Sequence, residues 1–260
     1  ALIVDNLARA DLTGLAFGPM AAALTGAIVT AAALLLASRR GLGLDGPAFT
    51  SVLQGAIRPN TFVGIAAASA LFGTPGLAIF AIGLATVVPL VNVLSVATLQ
   101  RYGAGNAGRG FGGVIAALAR NPIIIAVVAG VGVNLAGIGG LPVLGPGVRV
   151  LGEASLTLGL LAVGAGLDPA AARRSGRGVF IAATSKLLLV PLLTWLIGRS
   201  LGLDGMALTV AILFNAVPGA AASYILARQM GGDHRLMASI ITVETIVAAA
   251  TLPLVIALTG

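Results

Sequence analysis

Eight apolar runs follow one another along this chain, near residues 14–38, 48–72, 76–99, 121–138, 147–167, 179–198, 205–230 and 236–258. Each is close to the roughly 20 residues that carry a helix across a bilayer at 1.5 Å per residue. A soluble core has no use for so many. Hydrophobic residues make up 58% of the 260 and charged residues only 9%, against about a quarter charged in an ordinary soluble domain. The expected class is therefore an all-α integral membrane protein, most of it in lipid. The segments between the runs, such as "GTPG", "GIGGLP" and "LGLDG", are too short for a soluble domain, so the chain reads as one membrane unit.

The arginines alternate along it. The first, third, fifth and seventh connections carry Arg39, Arg40, Arg101, Arg109, Arg173, Arg174, Arg177 and Arg235, with Arg120 and Arg228 at adjoining helix ends; the second and fourth carry none, and Arg199 flanks the sixth. The positive-inside rule then puts the arginine-rich connections in the cytoplasm and the carboxyl end outside an inner (plasma) membrane. The net charge of +7, from 15 Lys+Arg against 8 Asp+Glu, is accounted for by this topology. No basic run has the aromatic interleaving of a nucleic-acid surface, so no nucleic-acid partner is expected.

Several chemistries find no support. There is no cysteine, hence no disulfide framework or thiolate metal site. His234 stands beside Asp233 and Arg235 without a second histidine, so no metal and no cofactor are expected. "GAGNAG", residues 103–108, fits a dinucleotide glycine pattern, but it follows an apolar run instead of a strand and reads as a flexible loop. Paired intramembrane aspartates, G-x-S-x-G and H-E-x-x-H are absent, which argues against a membrane enzyme.

Two runs are broken from within. In "GAIRPNTFVG", residues 55–64, Arg58 lies about ten residues into its run, roughly 15 Å from the nearer face. Snorkelling hardly reaches the surface from there. Pro59 removes a backbone donor and frees carbonyls that need partners inside the membrane. The second break is "FNAVPGAA", residues 214–221, with Asn215, Pro218 and Gly219. Each broken run is followed by another containing "PLV", at 87–91 and 251–255, a weak internal repeat. With the breaks aligned, residues 121–260 form a half of five spans and residues 1–120 a half short of two. Halves with five spans have opposite orientations, which is the inverted-repeat plan of secondary transporters, with substrate held near the midplane between discontinuous helices.

The segments "GAIRPNTFVGIAAASALFG", "ARNPIIIAVVAGVGVNLAGIGGLP", "LGLLAVGAGL" and "NAVPGAAASYILARQMGGDHRLMASIITVETIVAAATLPL" together resemble the auxin efflux carrier family in its bacterial form, which includes permeases for malate and other organic anions. The resemblance covers nearly the whole chain in order. It implies about ten spans with crossing breaks in the fourth and ninth, which fall here on the runs at 48–72 and 205–230. The family's first span and most of its second have no counterpart, since the sequence opens with "ALIVDNLARADLTG", whose first residues read as the tail of a span. The resemblance implies secondary active transport of small mono- or dicarboxylates by alternating access. A membrane scaffold or sensor that retains the carrier fold is the alternative.

Candidate site residues follow from depth and chemistry. Arg58 is placed to grip a carboxylate bidentately; the other reading is a structural partner, satisfying carbonyls at the opposite break or pairing with Glu244. Asn60 and Asn215 offer donors and acceptors for substrate beside unwound backbone, or cap the helices that restart there. Pro59, Pro218 and Gly219 shape the breaks. Glu244, about 12 Å into the last span, is a candidate for proton or sodium coupling, or one member of a static ion pair. Glu153 follows Arg149 at the i,i+4 spacing of a local pair, and Lys186, about seven residues inside its run, is within snorkelling reach of the interface. Small residues occur in every span and mark no single face, which leaves a homodimer open.

Overall fold

The computed structural model describes residues 17–104, 122–137, 145–168, 170 and 176–259. Among them the regular structure is all helical, apart from one isolated β-bridge. In order the helices are α1 (Phe17–Ser38), α2 (Gly46–Ile57), α3 (Thr61–Tyr102), α4 (Pro122–Leu135), α5 (Gly145–Ala165), α6 (Arg177–Thr184), α7 (Val190–Ser200), α8 (Gly205–Ala216), α9 (Ala222–Met230) and α10 (His234–Thr259). Four stretches are long and apolar enough to cross a membrane: Phe17–Gly41, Thr61–Tyr102, Arg177–Ser200 and His234–Thr259. Loop residues Arg109, Arg120, Arg173 and Arg174, the side chains of Arg149 and Glu153, and most of the glycine-rich 103–108 stretch lie outside the described residues.

α1 shows how an apolar helix chooses its inner face. Met20, Leu24, Ala27, Ile28, Ala31 and Leu35 recur at three- and four-residue spacing and are buried, the stripe that a 3.6-residue turn lines up. Phe17, Val29, Leu34 and Leu36 on the other side stay exposed, as a lipid-facing surface requires. The buried stripe packs on α3, α7 and α8.

α3 is not one rod. Gly73 has φ 58° and ψ −148°, a backbone region that is essentially glycine's alone, and Pro75 follows. The chain folds back there into limbs 61–72 and 74–102. The ring of Phe80 consequently rests on Gly64, although a straight helix would hold those positions about 24 Å apart. The expected "GTPG" loop is thus a turn made by one residue. Phe80 also meets Phe214 of α8, ring centroids 4.6 Å apart at 44°, and Gly83 leaves the room that the Phe214 ring fills.

α6 runs into α7 through a π-helical turn, Ser185–Leu189. α10 packs against α2, α6, α8 and α9. At one end of the bundle, main chain ties four elements together. Ala104 N–H donates to Gly231 O (2.8 Å) and Asp233 N–H to Pro47 O (3.2 Å), while Ser51 Oγ donates to Asp233 O (2.8 Å). Asp45 caps α2 by accepting from Ala48 N–H at 2.8 Å, satisfying one of the orphan donors of a helix start.

Candidate functional site: two helix breaks that meet

Both breaks follow from an X-Pro pair. A proline disfavours the helical region for the residue before it, and Arg58 (φ −90°, ψ 112°) and Val217 (φ −63°, ψ 149°) are both extended. α2 and α8 therefore stop at Ile57 and Ala216. Asn60 restarts the first helix, its Oδ1 accepting from Val63 N–H at 3.4 Å. The second restarts at Ala222 without a side-chain cap.

Backbone groups freed by one break are satisfied by the other. Asn60 N–H donates to Pro218 O (2.8 Å) and Ala220 N–H to Arg58 O (3.2 Å), giving an antiparallel bridge between Pro59 and Gly219. Gly219 N–H donates to Glu244 Oε2 at 2.7 Å. This is how discontinuous helices survive at membrane depth: their unwound backbone is enclosed in protein and paired. Four half-helices meet at the bridge. α3 and α9 begin there, so two positive dipole ends converge, while α2 and α8 end there.

The side chains around the bridge are unevenly satisfied. Arg58 is half-buried, and its Nε and Nη1 are buried without a hydrogen-bond partner among the described residues. Asn60 is buried, with Nδ2 unpartnered. Asn215 is buried and tied down: Nδ2 donates to Thr194 Oγ1 (2.8 Å) and Leu24 O (3.3 Å), and only Oδ1 lacks a partner. It bolts α8 to α1 and α7, and does not cap a helix. Pro59, Pro218 and Gly219 form the crossing itself. Pro218 O is satisfied by the Asn60 backbone N–H and not by the Arg58 side chain, whose Nε and Nη1 do not bond Glu244 either.

Two residues stand differently from the sequence reading. Lys186 does not snorkel. It is fully buried, with Nζ unbonded, within the π-helical turn Ser185–Leu189. Gln54 was not singled out, yet it is buried with both amide atoms unpartnered. Its position one helical turn before Arg58 was the available signal, since residues i and i+4 share a face. His234 stacks edge-on against Tyr224, centroids 5.8 Å apart. Both line a polar cleft of about 560 Å³ with Asp168, Arg235 and Ser239. An apolar groove of about 630 Å³ lined by Phe180, Leu188 and Val247 lies between α6 and α10. Phe180 and Leu188 are largely exposed, which places that groove on the outer, lipid-facing side of the bundle, away from the bridge.

Residues 112–256, more than half the chain, match the family described as "Membrane transport protein". The chain belongs to this family. It is the auxin efflux carrier family of the resemblance noted above. A relative from Methanothermobacter thermautotrophicus, named an uncharacterized transporter, is 28% identical over 258 residues, which cover 97% of this chain and 82% of the relative. Membership makes the protein a multi-pass membrane transporter, and it gives the paired breaks, with their unbonded polar atoms, a transport setting.

Proposed function

We propose that this membrane transport family protein is a secondary active carrier of small organic anions, mono- or dicarboxylates such as malate. Its two halves would form an inverted repeat that alternates access around the crossing, with the carboxyl end outward in a plasma membrane, as the arginine pattern directs. The observation that carries the reading is Arg58: a guanidinium beside the Pro59–Gly219 bridge whose Nε and Nη1 have no partner. Leaving buried donors unmet costs free energy. A carboxylate meets either of them in a bidentate pair with Nη2, the fork geometry that guanidinium favours.

The surroundings support an anion at this point. Two half-helix amino ends begin at the bridge, and their dipoles favour negative charge. Asn60 Nδ2 and the Gln54 amide supply further unpaired donors, suited to a second carboxylate oxygen or a hydroxyl. Glu244, bonded to the second break through Gly219, is the group at which a driving cation would act.

The test is binding and uptake of radiolabelled malate, succinate and lactate by the protein in liposomes, with Arg58→Ala and Arg58→Lys beside the parent. Removing one partner of a buried charge pair costs about 2–5 kcal/mol, so Arg58→Ala should weaken anion binding about 30-fold or more. Arg58→Lys should recover part of that loss, because it restores the charge without the planar fork. Parent-like anion binding and uptake in Arg58→Ala would sink the reading.

A further inference from the structure

The apolar seam between α6–α7 and α10 is hollow along its length. The groove of about 630 Å³ at Arg177, Phe180, Ala183 and Val247 is continued by a second of about 370 Å³ at Pro191, Trp195 and Leu254. Leu187, Leu188 and Thr251 line both, so the two form one furrow down the side of the bundle. Phe180, Leu188 and Leu254 are exposed by 72%, 58% and 58%, and no described residue covers them.

Only one end of the furrow is charged. Arg177 is the single charged residue among those that line it, and it is exposed. Its Nη2 donates to Gly41 O at 3.5 Å, which sets it against the turn Arg39–Gly41. Arg39 is held over the Tyr102 ring, 4.1 Å from the centroid, while Arg40 is exposed. α10 begins at the same level, since a Cβ on Gly178 would stand 3.2 Å from the Leu236 side chain. From Arg177 to Leu188 the chain advances about 16 Å at 1.5 Å per residue, close to half of the roughly 30 Å hydrocarbon core. The first groove therefore has the depth of one leaflet.

In a bilayer such a furrow fills with hydrocarbon, because an empty one forfeits dispersion contacts along its lining. Hydrocarbon alone carries no preference, since lipid tails are as apolar as leucine. Any preference has to come from the end at Arg177, where the charged groups are cationic. We propose that this seam is a site for an anionic glycerophospholipid, with one acyl chain laid between α6 and α10 and the phosphate at Arg177, beside the Arg39–Gly41 turn. Guanidinium pairs with phosphate bidentately, and basic pockets between membrane helices select anionic headgroups. A choline headgroup offers the same phosphate but brings its own positive charge to these arginines. The furrow lies away from the crossing, so the proposal goes beyond the carrier reading and does not depend on Arg58.

The test places the full chain in lipid nanodiscs. Trp195 is the one tryptophan in the sequence, so Trp195→Phe/Phe180→Trp moves the fluorophore to the wall of the first groove. Phosphatidylglycerol brominated near the glycerol end of one acyl chain should half-quench this reporter at about fivefold lower mole fraction than phosphatidylcholine brominated alike, the factor that one arginine contributes towards an anionic lipid. Arg177→Gln in the reporter protein should erase the preference, and Arg177→Lys should keep most of it. Equal quenching by the two lipids, or a preference that survives Arg177→Gln, overturns the proposal. A reporter shielded from both lipids, as a second copy of the chain seated on the furrow would leave it, overturns it as well. Should the reporter protein not fold, native mass spectrometry of the parent and of Arg177→Gln decides: from an equal mixture the parent should retain phosphatidylglycerol in preference to phosphatidylcholine and Arg177→Gln should not, and a parent without that preference overturns the proposal.

Discussion

The bond between Gly219 and Glu244 is open to a test by adding a single methyl group. A Cβ built on Gly219 stands 2.6 Å from Glu244 Oε2, and ordinary contact begins near 3.4 Å. The carboxylate must retreat by about 0.8 Å, which stretches the 2.7 Å bond to about 3.5 Å, outside hydrogen-bonding range. Gly219 does not have a positive φ, so alanine brings no backbone strain there, and the end of a glutamate side chain yields without disturbing main chain. What remains is a buried amide N–H with no acceptor, worth about 1–3 kcal/mol. Gly219→Ala should lose that much in equilibrium unfolding in mixed micelles.

The same loss should depend on Glu244. In a Glu244→Ala background the carboxylate is gone, the methyl has space, and the N–H is already unpaired, so Gly219→Ala should cost almost nothing further. Contacting residues show coupling energies of about 0.5–3 kcal/mol in such cycles, and this pair should fall at about 1 kcal/mol or more. Equal losses in both backgrounds would refute the assignment of Glu244 as the partner that holds the second break.

Two further outcomes follow from the unsatisfied and satisfied amides. Gln54→Leu removes two buried polar atoms that bond to nothing in the resting protein, so thermal stability should hold or rise while anion binding weakens several-fold; a drop in stability with intact binding would make Gln54 structural. Asn215→Ala breaks the bonds to Thr194 and Leu24 and should destabilise by about 1–3 kcal/mol, a loss that Thr194→Val shares in part; unfolding curves that match the parent would mean that α8 is held to α1 and α7 by packing alone.

How far the sequence carried the site depends on the range of each cause. The breaks were legible because their cause is local: a proline fixes the residue before it, and Arg58 and Val217 are extended accordingly. The reversal at Gly73 was legible as a place but not as a geometry, since "GTPG" gives no indication that one glycine with φ 58° suffices. The Gly219–Glu244 bond joins residues 25 positions apart, and no periodicity in the chain announces it. Lys186 was misjudged for a specific reason. Depth along a straight helix measures distance to the interface, but the π-helical turn changes the face on which a side chain emerges, and no residue type marks that turn in "SKLLL". Gln54 stands alone in an apolar run whose evident interruptions are the arginine and proline that follow it.

Arg58 is the candidate for a ligand because it stands at the bridge itself, next to Pro59. Glu244 and Lys186 are both fully buried there, and Glu244 Oε2 is bonded to Gly219 N–H. Arg58 brings a second positive charge within the same group of half-helices, and no described carboxylate answers it. Burying an unpaired charge costs far more than burying a paired one, and among the described residues nothing bonds Arg58 Nε or Nη1. On the carrier reading proposed above, an anion would answer that charge. If Glu244 were instead the partner of Arg58, an arriving anion would have to displace a carboxylate that also holds Gly219, and binding would pull the crossing apart. With Glu244 Oε2 bonded to Gly219 N–H, an anion at Arg58 would leave the bridge between Pro59 and Gly219 made.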